Sequence, residues 1–248
     1  MNILVCISQV PDTTTKVAVG TDGKTIDKTG VKFILNPYDE FTIEEGLRLR
    51  EKFGGTVTAL TVGGESAKEI LRTALAMGVD KAVIVKDEAK SDSYSVAVNI
   101  ADYASSISPD IVIVGRQSID YDSFGMASMV GELLGMASIS VVSSWSIEGS
   151  TVTAERDIEG GKELLRTSLP CVTSAQKGLN DPRYPKLPDI MKAKSKPIEE
   201  RASVSSSTRV ETIAMELPQS KRVGKILGDT DGDIAELVRL LHEEAKVI

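Results

Sequence analysis

The stretch IVIVGRQSIDYDSFGM, residues 111–126, decides how this chain is read. Its first four residues form an unbroken, β-branched apolar run, the mark of a strand buried on both faces, and such strands belong to parallel sheets covered by helices. Gly115 ends the run, and a polar loop then leads into a helix that stops near Gly135. The same punctuation recurs elsewhere. ILVCIS (residues 3–8), VTALTVG (57–63) and AVIVK (82–86) are three more such runs with helical patterns between them. The helix over residues 41–52 has Asn36 placed as its cap, Pro37 at the first helical position and a stop at Gly54-Gly55. A second runs from about Glu65 to Gly78, and a third, after Ser91-Asp92, keeps Val96 and Ile100 on one face. This alternation predicts an α/β fold with a doubly wound, mostly parallel, Rossmann-like sheet.

From about Ser140 the pattern changes. SVVSSWSIEG, TVTAERDIEGG and ELLRTSLPCVTSA read as antiparallel strands turning at Glu148-Gly149 and Gly160-Gly161, expected to extend the sheet's edge. RASVSSSTRV (201–210) reads as a Ser-rich linker. In the tail, Asp233 and Glu236 sit at capping-box spacing, and Ile234, Leu237, Val238 and Leu241 form one apolar stripe. The expected organisation is a nucleotide-binding α/β domain over residues 1–200, which includes a distinctive loop at 179–197, then a linker and a C-terminal helical arm over 201–248. The stripe leaves two fates open for the arm: folding back on its own core, or docking on a partner.

Composition narrows the function. With a net charge of -7, the 248-residue chain lacks the wide basic surface that nucleic-acid binding requires. The single histidine, His242, gives triads and histidine-rich metal sites nothing to work with. Cys6 and Cys171 both lie inside apolar runs and read as small core residues. No apolar run reaches the roughly 20 residues of a membrane-spanning helix, and the start lacks a signal-peptide pattern, so a cytoplasmic protein without membrane insertion is expected. Glu44, Glu45, Arg48 and Arg50 read as a solvated helix face.

In open parallel sheets ligands sit beyond the carboxyl ends of the strands. Gly63, Gly64 and Gly115 lie in such loops and permit close backbone approach, and helix starts there can bind an anion. A nucleotide is the natural candidate; ordinary turns remain the alternative. Asp39 and Glu40 would repel phosphate, which places ribose or adenine near Asn36-Pro37 and phosphate near Ser123 to Met126. Asp120 and Asp122 read as a helix cap or ribose contact.

VKFILNPYDEFTIEEGLRLREK (31–52), EILRTALAMGVDKA (69–82), IVIVGRQSID (111–120), RDIEGGKELLRTSLPCV (156–172) and LNDPRYPKLPDIMKAKSKPI (179–198) together resemble the β subunit of electron transfer flavoproteins. The resemblance implies a noncatalytic subunit of an electron carrier, paired with an α subunit that holds most of a redox-active FAD, while the β subunit keeps a structural AMP. By position the implied AMP contacts are Cys6, the run Asn36, Pro37, Tyr38 and Asp39, and Val62. The loop adds Gly115, Arg116, Gln117, Ser118, Ile119 and Asp120, then Tyr121, Asp122, Ser123, Phe124, Gly125 and Met126. Where the family has Asn-Gln-Thr, this chain has Phe124, Gly125 and Met126, so phosphate binding leans on backbone amides and the Ser123 hydroxyl. A bifurcating branch binds a second FAD in place of AMP; this loop shares its GRQ and ID but not its Thr-Ala-Gln-Val continuation. From a different class, a universal-stress-type nucleotide-binding sensor would share the sheet. Thr13 stands where many members place a tyrosine against the flavin.

The resemblance also explains residues 179–197, which are rich in proline and lysine. Similar segments form a loop that anchors flavin dehydrogenases, such as acyl-CoA dehydrogenases, through one leucine, here Leu187. Tyr184, Ile190, Met191 and Lys192 flank it. Arg183, Lys186, Lys192 and Lys194 would steer acidic partners. Asp157 matches an acidic position implied to tune partner release.

Overall fold

The computed structural model describes residues 1–87, 92–204, 208–218 and 224–248. β1 (Asn2–Cys6) is followed by a small antiparallel pair, β2 (Gln9–Pro11) with β3 (Phe33–Leu35), and then by α1 (Pro37–Phe53). Three strand–helix steps come next. They are β4 (Thr56–Gly63) with a 3-10 turn and α2 (Lys68–Met77), β5 (Lys81–Lys86) with α3 (Ser93–Ile107), and β6 (Ile111–Gly115) with α4 (Met126–Leu134). The second half adds β7 (Ala137–Glu148), β8 (Thr151–Ile158), β9 (Gly161–Ser168), β10 (Cys171–Ala175), α5 (Leu187–Ser195), β11 (Glu199–Ala202) and α6 (Asp231–Arg239).

Nine of these strands share one sheet in the order β11-β5-β4-β1-β6-β10-β7-β8-β9. Every pair from β11 to β7 is parallel, and only β8 and β9 join antiparallel. Period-two alternation in β1 sends Ile3 and Val5 to the face covered by α1 and α2, and Leu4 and Cys6 to the face covered by α3 and α4. Helices therefore lie on both sides of a mostly parallel sheet, the doubly wound Rossmann-like arrangement. α1 packs so closely that a β-carbon on Gly46 would stand 2.7 Å from Val5 Cγ1. That contact accounts for a glycine in a helix interior, where it otherwise costs about 1 kcal/mol.

Four local expectations need correction. First, ELLRTSLPCVTSA is not one antiparallel edge strand: a cis Leu169-Pro170 peptide separates β9 from β10, and β10 enters the centre of the sheet between β6 and β7, parallel to both. β7 can serve two partners because its ladder is irregular at Val141, which has φ 63° and donates its N–H to Ser174 Oγ at 2.7 Å. Its first half pairs with β10 and its second half with β8.

Second, Arg201 and Ala202 belong to β11, which pairs with β5 at the opposite edge, so that edge is parallel. Of the Ser-rich segment, residues 205–207 lie outside the described residues, as does Ser91.

Third, Asn36 occupies the cap position of α1, but its side chain makes no capping bond. Fourth, the capping box of the tail is Thr230 with Asp233, while Glu236 pairs with Lys225 and Arg239. α6 buries none of its residues, so the apolar stripe at Ile234, Leu237 and Val238 does not fold back on this core.

Candidate functional site

A cleft opens where β1, β4 and β6 end, at the point where the chain crosses from one side of β1 to the other. It encloses a cavity of about 220 Å³ beneath an open mouth. Cys6 and Val62 close the floor at the strand ends, and Leu60, Val96 and Ile100 form an apolar wall. The opposite wall is the loop after β6, through Gln117, Ser118, Asp120, Tyr121 and Ser123, and ends at Met126, the first residue of α4.

The loop is held by Asn36. Its Nδ2 donates to the Gln117 carbonyl at 2.9 Å and to Asp39 Oδ1 at 3.0 Å, and its Oδ1 accepts from the Ile119 N–H at 3.3 Å. The cap side chain is thus diverted from its own helix to fasten a loop about eighty residues away. Asp39 is the counterpart: Oδ2 accepts from the Ser8 N–H at 2.7 Å and the Ser8 hydroxyl at 2.8 Å, tying β1's exit to the start of α1. Burial pushes the Asp39 carboxyl up to about 7, against the lowering effect of its bonds from Ser8 and Asn36. Burial and the nearby Asp39 also raise the Cys6 thiol far above its ordinary value, so it is an inert core residue. Cys171, buried in β10, is likewise pushed up to about 12.

The cleft offers two kinds of polar group. Gln117 donates from Nε2 to Asp122 Oδ1, but its buried Oε1 has no hydrogen-bond partner among the described residues. A buried acceptor of this kind calls for a donor from a ligand or water. Ser93 Oγ lies 3.2 Å from Ser123 Oγ, which brings together hydroxyls from the first turn of α3 and the approach to α4. Such a cleft can take a flat apolar group against Val96 and Ile100, a donor at Gln117, and an oxygen-rich group at the serine pair.

The remaining loop residues do not line it. Arg116 places its guanidinium carbon 5.0 Å from the Phe124 ring centre and 5.9 Å from that of Tyr38, and bonds Gln176 Oε1 at 3.2 Å. This stack braces the loop's outer side. Pro37, Ile119, Asp122 and Gly125 likewise support the backbone without facing the cleft. No group of three potential metal ligands occurs among the described residues, Asp120 and Asp122 included.

A second surface forms elsewhere, on residues 180–195. Leu187 opens α5 and is 74% exposed, Met191 one turn on is 59% exposed, and Ile190 sits beside them. Tyr184, 92% exposed, precedes them. Arg183 is engaged differently: its Nε and Nη2 bind Glu44 at 2.8 and 3.0 Å, and Nη1 binds Glu51 at 2.6 Å. It fastens the loop to α1, which leaves Lys186, Lys192 and Lys194 as the basic residues of this surface without an ion pair among the described residues.

The solvated-face reading of α1 is accordingly wrong for Glu44 and Glu45, which are 3% and 7% exposed. Glu45 accepts from Trp145 Nε1 at 2.6 Å and Asn180 Nδ2 at 2.8 Å, and Arg50 bonds Asp80 and the Gly78 carbonyl. Of those four residues only Arg48 is exposed. The partners are remote in sequence, and they turn a charged helical face into the seam that receives the loop.

Residues 23–205 match the model of the electron transfer flavoprotein domain. Over the full length of both chains, the protein is 43% identical to the electron transfer flavoprotein subunit beta of Bacillus subtilis and 36% identical to that of Bradyrhizobium diazoefficiens. It is 36% identical, again end to end, to the mitochondrial electron transfer flavoprotein subunit beta of Oryza sativa. The chain belongs to the electron transfer flavoprotein β subunit family.

Within this β subunit, sequence reasoning found Cys6, Asn36, Asp39, Val62, Gly115, Gln117, Ser118, Asp120, Tyr121, Ser123 and Met126, all of which the fold gathers at one cleft. It missed Ser8, Asp92 and Ser93, and it had placed Val96 and Ile100 only on a common helix face. Ser8 lies two residues past a strand's carboxyl end, and Asp92-Ser93 begins a helix; each position carried a signal that strand topology makes meaningful. No helix among the described residues of this β subunit is long and apolar enough to cross a membrane.

Proposed function

We propose that this β subunit pairs with an α subunit, holds AMP in the cleft as a structural nucleotide, and docks flavin dehydrogenases through Leu187. The observation that carries the nucleotide reading is the cleft's polar groups, the orphaned Gln117 Oε1 and the Ser93–Ser123 hydroxyls, set beside an apolar wall. Adenine fits against Val96 and Ile100, its amine or a ribose hydroxyl satisfies Gln117, and the phosphate meets the serines. FAD, held mainly by the α subunit, supplies the one-electron chemistry of the carrier. This chain's own residues bind, orient and exclude water.

Asn36 and Asp39 hold the loop wall, so ordering the nucleotide stiffens the junction of β1, α1 and β6. On the α5 surface, Leu187 and Met191 offer the apolar anchor, and the unpaired lysines steer acidic partners. Asp157, exposed on β8 and bonded by the Ser143 hydroxyl at 3.2 Å, is proposed to tune partner release. The unpartnered stripe of α6 is proposed to lie on the α subunit, and the assembled carrier to work in the cytoplasm. A second FAD in place of AMP is the other reading. The cavity's modest volume, about 220 Å³, favours the shorter ligand.

Hydrogen exchange on the nucleotide-stripped heterodimer tests this. Added AMP should slow exchange at residues 36–39, 62–64, 93–96 and 115–126. Protection by FAD but not AMP would support the bifurcating reading, and protection by neither would remove the nucleotide role.

A further inference from the structure

We infer that Arg209, on the segment leading into the C-terminal arm, supplies the positive charge that meets the nucleotide's phosphate. The inference rests on the nucleotide reading above and adds a binding residue to that same cleft. The cleft poses an electrostatic problem: Asp39, Asp92 and Asp120 line it, and among its described lining residues there is no Lys or Arg. A phosphate monoester brings close to two negative charges. The helix terminus beside Ser93 is already answered by a carboxylate, since Asp92 Oδ1 accepts the Ser95 N–H at 2.8 Å in a complete capping box. The α3 amides therefore have limited charge left to offer.

The arm segment corrects this. Asp92 Oδ2 accepts the Arg209 N–H at 2.6 Å and the Val210 N–H at 2.9 Å, which seats residues 209–210 on the first turn of α3. Farther on, the Lys24–Glu211 pair at 3.0 Å and the Met215 N–H to the Gly23 carbonyl at 2.8 Å hold the segment in place. The Arg209 guanidinium carbon stands 5.0 Å from the Tyr94 ring centre, on the residue next to Ser93. Arg209 makes no ion pair among the described residues. Tyr94 borders the hollow against α4 rather than the cleft, so the guanidinium meets the phosphate by rotating off that ring toward the serines, a move that breaks no ion pair.

The test uses the heterodimer stripped of nucleotide and titrated with AMP and, separately, with adenosine. Arg209→Gln should weaken AMP by about tenfold or more, leave adenosine unchanged, and reduce the salt dependence of AMP binding. Equal losses for both ligands, or no loss for either, would overturn the assignment. So would selective loss of AMP in Lys90→Gln, whose position lies outside the described residues, with Arg209→Gln unaffected. If the unaltered heterodimer binds neither AMP nor adenosine, the nucleotide reading itself fails and the role of Arg209 falls with it.

Discussion

Gly115 and Asp39 are in such close contact that a β-carbon at position 115 would stand 2.1 Å from Asp39 Oδ1. The end of β6 and the start of α1 can meet only because residue 115 has no side chain, and the Asn36–Asp39 clamp depends on that meeting. Gly115→Ala should therefore lower stability by about 1–3 kcal/mol and empty the cleft of nucleotide. Denaturant midpoints and nucleotide content equal to those of the unaltered protein would show that the contact is not needed.

Asp39 also makes a pH prediction. Its carboxyl is raised to about 7 by burial, above its unfolded value near 3.9, so the folded state binds the extra proton. That contribution is complete below about pH 4 and is lost as pH rises through about 7. In nucleotide-free protein, urea midpoints should fall between pH 5 and pH 8, and Asp39→Asn should flatten the slope. Parallel profiles for the two proteins would contradict this.

Arg183→Ala probes the seam between α1 and the loop that leads into α5. Burial opposes ionisation of Glu44, yet bonds from Arg183 and Arg48 outweigh it and hold the carboxyl below the ordinary glutamate range. Its stabilisation is complete above about pH 4.3 and is lost as pH falls through the lowered value. Without the Arg183 guanidinium a nearly buried carboxylate keeps only Arg48 and the backbone N–H of residue 183, so stability should drop by about 1–3 kcal/mol, with the acid-side loss starting at higher pH. An unchanged acid limb in denaturant titrations would count against the seam.

What was legible in the sequence follows from how local each signal is. The runs at 3–8, 57–63, 82–86 and 111–114 needed only their own residues to announce buried parallel strands, and the helix stops at Gly54, Gly78 and Gly135 were equally local. β10 was misplaced because its partners, β6 and β7, are specified by non-local pairing that a short apolar run cannot reveal. Glu44 and Glu45 were misread for the same reason: their burial is created by Arg183, Trp145 and Asn180, each at least a hundred residues away. The loop wall of the cleft was readable from the family's motifs. Ser8 and Ser93 were not, because a lone serine acquires meaning only from the strand end or helix start that presents it.

Leu187→Ala tests docking. The side chain is 74% exposed, so folding, flavin content and nucleotide content should be untouched. Burial of a leucine in a partner pocket contributes about 1.5–3 kcal/mol, which corresponds to roughly 10- to 100-fold weaker coupling to the dehydrogenase. Electron-transfer rates that match the unaltered carrier at low partner concentration would remove Leu187 from the interface.

Truncation before Asp231 deletes α6 and, with it, no buried residue of this chain. The β subunit should keep its melting temperature, whereas the heterodimer should dissociate at concentrations where the full-length form stays paired. Identical elution on size exclusion across a dilution series would show that the stripe at Ile234, Leu237 and Val238 does not face the α subunit.

The identity of the molecule in the cleft is tested most directly by the nucleotide stoichiometry of the co-expressed heterodimer after acid release and chromatography. One AMP and one FAD per heterodimer is the expected result. Two FAD, or one FAD with no adenine mononucleotide, would contradict it.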